Sequence, residues 1–208
     1  MKVLAEKEAE EFLEKKGFPI AKRIFVKDFD GCLKAAKKIS FPLVLKIASK
    51  KILHKSDVNG VRVNIKDEKE LEKAFNELKK IKNFEGVMVQ EYIEGKFVIT
   101  GLKKDPTFGH VIAFGLGGIF TEIIKDVSFR VCPITKKDAI EMIKEIKAYK
   151  ILNGTRGEKP VNFYSILRVL LALSELSKKF KDIQELDINP LIVNEKNAKI
   201  VDARIVFN

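Results

Sequence analysis

A change of rhythm near residue 93 constrains this chain most: helices and strands alternate before it, and short strands follow one another after it. Ala9, Phe12 and Leu13 recur at helical spacing within 5–16, and Gly17 with Pro19 supplies a stop. Residues 24–26 then read as a strand, 28–39 as a helix and 43–47 as a strand introduced by Pro42. After a polar loop at 49–59, Val61, Val63 and Ile65 alternate with polar residues, Leu71, Phe75, Leu78 and Ile81 define a helix, and 87–93 reads as a strand. Beyond it, 97–102, 111–114, 119–124 and 129–131 are short strands separated by Gly, Pro or Asp, the signature of an antiparallel sheet. Helices are expected at 137–148 and 162–180, and closing strands at 185–193 and 199–205. The pattern predicts an α+β protein with a helix-strand-helix segment at 1–40, a smaller lobe at 41–93 and a larger lobe at 94–208, the lobes facing a cleft.

The chain has 208 residues, 46% of them hydrophobic, enough to build a real core. No stretch approaches the roughly 20 apolar residues that span a bilayer, and 1–17 reads as neither secretory signal nor anchor, which predicts a cytoplasmic protein without membrane attachment. Cys32 and Cys132 lie far apart among apolar residues and read as buried free thiols. A formal charge of +11 suits a polyanionic partner, which nucleotide, CoA, nucleic acid and anionic lipid all satisfy. Much of that excess sits in lysine-rich helices such as 68–83, where alternating signs describe a solvated face.

Neither a P-loop nor a Rossmann fingerprint is present, since Gly115-x-Gly117 lacks its third glycine. The loop Ile52-Leu53-His54-Lys55-Ser56-Asp57-Val58-Asn59-Gly60-Val61 gathers an imidazole, a cation, a hydroxyl and a glycine between strands. Lys55, Ser56 and main-chain amides around Gly60 could grip phosphate while neutral His54 carries a phosphoryl group, or the stretch is a polar surface turn. Lys46, inside the apolar strand and facing away from Leu45 and Ile47, either meets nucleotide phosphates or is an exposed lysine on an edge strand. Asp187 and Asn189 share one strand face, with Asp202 on the next strand; these oxygen donors suit a water-retaining magnesium ion better than a merely solvated sheet face. Gly117 and Gly118 leave amides accessible to a phosphate or sugar, or serve a hairpin. Arg130 could neutralise a phosphoryl group, or pair with Asp126 or Glu122.

Taken in order, several segments resemble the ATP-grasp subunit of ADP-forming acyl-CoA synthetases, the relatives of succinyl-CoA synthetase. They are Leu45-Lys46-Ile47, His54-Lys55-Ser56-Asp57 with Gly60-Val61, Val89-Gln90-Glu91, the block from Phe114 through Gly117 and Gly118 to Phe120, Asp126-Val127-Ser128-Phe129-Arg130, Glu185-Leu186-Asp187-Ile188-Asn189-Pro190-Leu191, and Val201-Asp202-Ala203-Arg204. The resemblance runs nearly end to end and implies an ATP-grasp fold, with ATP or ADP and Mg2+ held between two α+β lobes. It implies that Lys46 binds phosphates, that Gln90, Glu91, Tyr92 and Ile93, with Glu94 beside them, line the adenine, and that Asn189 and Asp202 hold magnesium with Asp187 nearby. It also makes His54 the relay that passes phosphate between nucleotide and a phosphohistidine on a CoA-binding α subunit, in an α2β2 acid-thiol ligase. One departure stands out: Phe97 occupies the place, before Val98-Ile99-Thr100-Gly101, where the family usually carries a glutamate.

Two other readings follow from the same residues. A nucleotide-binding regulatory module would bind ADP without forming phosphohistidine. A basic nucleic-acid-binding protein ranks last, because arginine is scarce beside lysine and no aromatic-basic interleaving marks a stacking platform.

Overall fold

The computed structural model describes residues 1–49, 51–52, 55, 57–117, 126–155 and 157–208. Within these the chain divides into two compact units, Ala21–Ile93 and a second made of Met1–Ile20 with Glu94–Asn208.

The Ala21–Ile93 unit is a four-stranded sheet in the order β2-β5-β3-β4. Its strands are β2 (Arg23–Val26), β3 (Leu43–Ala48), β4 (Val61–Ile65) and β5 (Gly86–Glu91), all paired antiparallel. Helices α2 (Phe29–Ile39) and α3 (Glu68–Lys79) pack against it. Both helices start on an aspartate: Asp28 accepts the Gly31 N–H and Asp67 the Glu70 N–H, each at 2.8 Å, satisfying a donor that the first turn leaves open. Leu43, Leu45, Ile47, Val87 and Val89 point into the helices and form the core with Leu71, Phe75 and Leu78. Strand alternation therefore sends Val44, Lys46, Met88 and Gln90 to the other face.

The second unit carries a seven-stranded sheet in the order β1-β11-β9-β6-β7-β8, with β10 also on β9. The strands are β1 (Lys2–Leu4), β6 (Lys96–Asp105), β7 (Gly109–Leu116), β8 (Val127–Val131), β9 (Ile183–Val193), β10 (Ala198–Ile200) and β11 (Ala203–Phe207). One face is covered by α1 (Glu6–Lys15), α4 (Lys136–Glu145), α5 (Tyr149–Leu152) and α6 (Phe163–Lys179), whose Leu13, Met142, Leu152, Ile166 and Leu170 share a core with Phe114, Leu186, Ile188 and Ile205. Thr135 caps α4 reciprocally: its hydroxyl accepts the Asp138 N–H at 3.2 Å, while Asp138 accepts the Thr135 N–H at 2.7 Å.

Residues 1–40, read from sequence as one leading segment, are shared between the units. β1 and α1 join the larger sheet because Lys2–Leu4 pairs with β11, whereas β2 and α2 belong to the smaller one. Two further differences have physical causes. The closing strand expected at 199–205 is broken at Val201 and Asp202 into β10 and β11, which keep one register along the same edge of β9; opposite the break stands Pro190, which has no N–H to give the ladder. The helix expected at 137–148 ends at Glu145, where Asp126 takes the next N–H groups. The strand expected at 119–124 lies outside the described residues.

Candidate active site

Alternation along β9 sorts its side chains: Leu186 and Ile188 enter the core, while Glu185, Asp187 and Asn189 are exposed on the face away from the helices. Antiparallel register then brings Gly101 and Lys103 of β6 opposite Asp187 and Glu185, and Arg204 of β11 opposite Asp187 from the other side. The Asn189 N–H donates to the Asp202 carbonyl at 3.2 Å, so Asp202 stands across from Asn189 where β10 gives way to β11. Gly101 is required in this row, since a Cβ there would strike the Leu186 carbonyl oxygen and push β6 off β9. A hollow of about 440 Å3 opens on the same face, walled by Ile99, Gly101, Phe129, Lys103, Glu185 and Asp187.

The electrostatics of this row favour a cation. Desolvation by the surrounding strands, then the negative charges of Glu185 and Asp202, push the Asp187 carboxyl up to about 6, with Arg204 opposing them. Crowded carboxylates of this kind are relieved by a divalent ion. Among the described residues no three His, Cys, Asp or Glu side chains gather into a closed metal cage. Two carboxylates and the Asn189 amide instead fit a hard ion that completes its shell with water and phosphate oxygens, as magnesium does on a nucleotide.

In the Ala21–Ile93 unit, Lys46 and Gln90 lie diagonally on the face away from α2 and α3, and are only 6% and 1% exposed. Lys46 is thus on the face opposite Leu45 and Ile47 and is not on an edge strand, since β3 runs between β5 and β4. Glu91 is occupied locally: its carboxylate accepts the Lys22 N–H at 2.7 Å and its own N–H donates to the Lys22 carbonyl at 2.9 Å. Tyr92 donates its N–H to the Pro42 carbonyl at 3.1 Å, and the connection continues through Ile93; in the larger unit the Glu94 carbonyl accepts from Asn194 at 2.9 Å. Lys55 and Gly60 close one turn, the Gly60 N–H donating to the Lys55 carbonyl at 2.6 Å. A Cβ on Gly60 would run into Ile47. Gly117 donates its N–H to the Phe97 carbonyl at 2.7 Å. His54, Ser56 and Gly118 lie outside the described residues.

Arg130 is placed differently from the acids. Its register partner Ile112 is a core residue, so Arg130 shares the helix-covered face, where its guanidinium meets the Glu145 carboxylate of α4 at 2.6 Å. Asp126, read from sequence as its possible partner, instead binds the main chain at Lys147 and Ala148. Arg204 is the arginine on the acid-bearing face, and the spacing Asp202-x-Arg204 was the sequence signal for it, since residues two apart in a strand share a face. Phe97 is 48% exposed near the start of β6.

The ATP-grasp domain family matches residues 1–207. This chain belongs to the ATP-grasp family. Within that family it is 44% identical to the β subunit of ADP-forming acetate–CoA ligase I of Pyrococcus furiosus, over 98% of this chain and 91% of that one. Among solved structures, it superposes with a TM-score of 0.93 and 42% identity on the dinucleotide forming acetyl-coenzyme A synthetase 1 of Ca. Korarchaeum cryptofilum in complex with coenzyme A, Ca-AMPCP and HgCl+, covering 100% of this chain and 94% of that one. A second structure of that enzyme, with coenzyme A and Mg-AMPPCP and its phosphohistidine segment pointing towards the nucleotide binding site, matches with a TM-score of 0.87 and 42% identity over 100% and 93% of the chains. This ATP-grasp chain is accordingly a homologue of ADP-forming acetate–CoA ligase β subunits. No helix among its described residues is long and apolar enough to cross a membrane.

Proposed function

We propose that this chain is the nucleotide-handling β subunit of an ADP-forming acid–CoA ligase, which makes acyl-CoA, ADP and phosphate from an acid, ATP and CoA. The observation that carries this reading is its end-to-end likeness to a ligase β subunit, joined to an acid-bearing sheet face suited to a nucleotide's metal. The larger unit supplies Asp187, Asn189 and Asp202 to hold Mg2+, and the amides at Gly117 and Gly118 to the nucleotide. When bound, Mg2+ neutralises charge on the phosphate chain. The smaller unit supplies Lys46 to the phosphates, Gln90, Tyr92 and Ile93 to the base, with main-chain groups of Glu91 and Glu94 bounding that strand, and the loop of Lys55, Ser56 and Gly60 to the transferred group.

His54 takes the phosphoryl group. A neutral ring nitrogen attacks the γ-phosphorus of ATP, a P–N bond forms, and the bond to the bridging oxygen of ADP breaks, so that ADP leaves with that electron pair. The group then passes to a histidine of a CoA-binding α subunit, which forms the acyl phosphate and the thioester. An α2β2 assembly in the cytoplasm fits this division of labour. Water would hydrolyse both phosphohistidines, so transfer needs a closed, dry interface.

Reconstitution tests the reading. The chain mixed with its CoA-binding partner, acetate, CoA and Mg-ATP should release ADP in step with thioester formation, and Asp202→Ala should lower kcat by about 100-fold or more. Nucleotide binding with no thioester under any acid tried would leave a regulatory nucleotide-binding module instead.

A further inference from the structure

Arg204 occupies a position for which sequence reading had no role. It stands on the helix-free face of the larger sheet, opposite Asp187 in the β11–β9 register, two residues after Asp202, and its neighbours Ala203 and Ile205 are buried. It shares this face with Asp187, directly opposite it, and with Glu185 two residues along β9. Among the described residues, none lies within ion-pair distance of its guanidinium, so the five N–H donors are not committed to a carboxylate. Arg130, the arginine that the sequence had suggested, is turned to the opposite face and held by Glu145, while Lys103 stands on the acid-bearing face opposite Glu185.

We propose that Arg204 binds the terminal, transferring phosphoryl group of the nucleotide, as the cation that works beside the metal held by Asp187, Asn189 and Asp202. The proposal rests on the nucleotide reading given above. A row made only of acids would repel the phosphate chain wherever the metal does not screen it. A planar guanidinium in that row offers a two-pronged grip on phosphoryl oxygens, and its fixed charge follows the group as the bond to ADP lengthens. Asp187 then completes the cation's shell, while Arg204, opposite it on β11, keeps its donors for the phosphoryl oxygens.

The test is calorimetric titration of the full chain with AMP, ADP and the non-hydrolysable analogue AMPPCP, each with Mg2+, in wild type, Arg204→Gln, Arg204→Lys and Arg130→Gln. Arg204→Gln should weaken AMPPCP about tenfold or more, ADP less, and leave AMP unchanged, the scale expected for a charged hydrogen bond to phosphate. Arg204→Lys should recover part of the AMPPCP affinity, because a point charge replaces the fork only in part. Arg130→Gln should bind all three as wild type does. Equal losses for AMP and AMPPCP, or no loss, would mean that Arg204 only balances charge on the sheet, and a selective AMPPCP loss in Arg130→Gln alone would overturn the assignment. Failure of the wild-type chain to bind any of the three would bring down the nucleotide reading and this proposal with it, an outcome distinct from a null effect of Arg204→Gln.

Discussion

Asp126 accepts the main-chain N–H of Ala148 at 2.7 Å and, through its other carboxylate oxygen, that of Lys147 at 2.8 Å. The carboxylate is buried, and it fixes the exit of α4 against the start of β8. In a stretch that resembles a catalytic motif, this residue serves the fold. Asp126→Ala strands two donors in a poorly solvated site and should destabilise the larger unit by about 3 kcal/mol, read from urea denaturation. Nucleotide affinity of the variant, measured well below its unfolding transition, should stay near that of wild type.

The reciprocal cap of α4 predicts a pH dependence. Hydrogen bonds from the Thr135 N–H and hydroxyl, assisted by the charges of Arg130 and Lys137, hold the Asp138 carboxyl below its ordinary value of 3.8. A carboxyl lowered on folding stabilises the protein above its unfolded value, and that contribution disappears as pH falls through the folded value. Asp138→Asn should therefore lower the Tm at neutral pH, and the gap from wild type should close on acidification from about pH 5 to pH 2. A gap that stays constant over that range would show that the cap acts through shape and not charge.

Both thiols should be slow to react. Burial, then the negative charge of Asp28, pushes Cys32 up to about 12, and burial also raises Cys132, which is partly exposed. Thiolate is the reactive species. At pH 8 a thiol reagent should label Cys132 slowly and Cys32 hardly at all in the native protein, and both at once in denaturant. Prompt native labelling of Cys32 would mean that the packing of α2 on its sheet opens readily.

The legible parts of this chain were those where one physical rule acts alone. Leu71, Phe75 and Leu78 announced α3 by helical spacing and are buried as that spacing requires, and Val61, Val63 and Ile65 announced β4 by their alternation with polar residues. Asp187 and Asn189 were read on one face of β9 for the same reason, and the structure leaves both exposed there. β1 was missed because three residues, two of them exposed, carry no pattern. The side of Arg130 was hidden by an inversion. Apolar Phe129 and Val131 are 59% and 49% exposed, while Ser128 and Arg130 face the helices, so the habit of turning apolar residues inward points the arginine the wrong way. Only register against Ile112, a long-range fact, reveals it.

The most direct test of the phosphoryl relay is transfer from γ-labelled Mg-ATP in the presence of the CoA-binding partner, followed by separation of the chains and scoring of acid-labile label. Wild type should carry label on both chains, and His54→Asn should carry none on either while binding ADP as before. Label reaching the partner through His54→Asn at the wild-type rate would contradict the account, because phosphate would then move from nucleotide to partner without this chain's histidine.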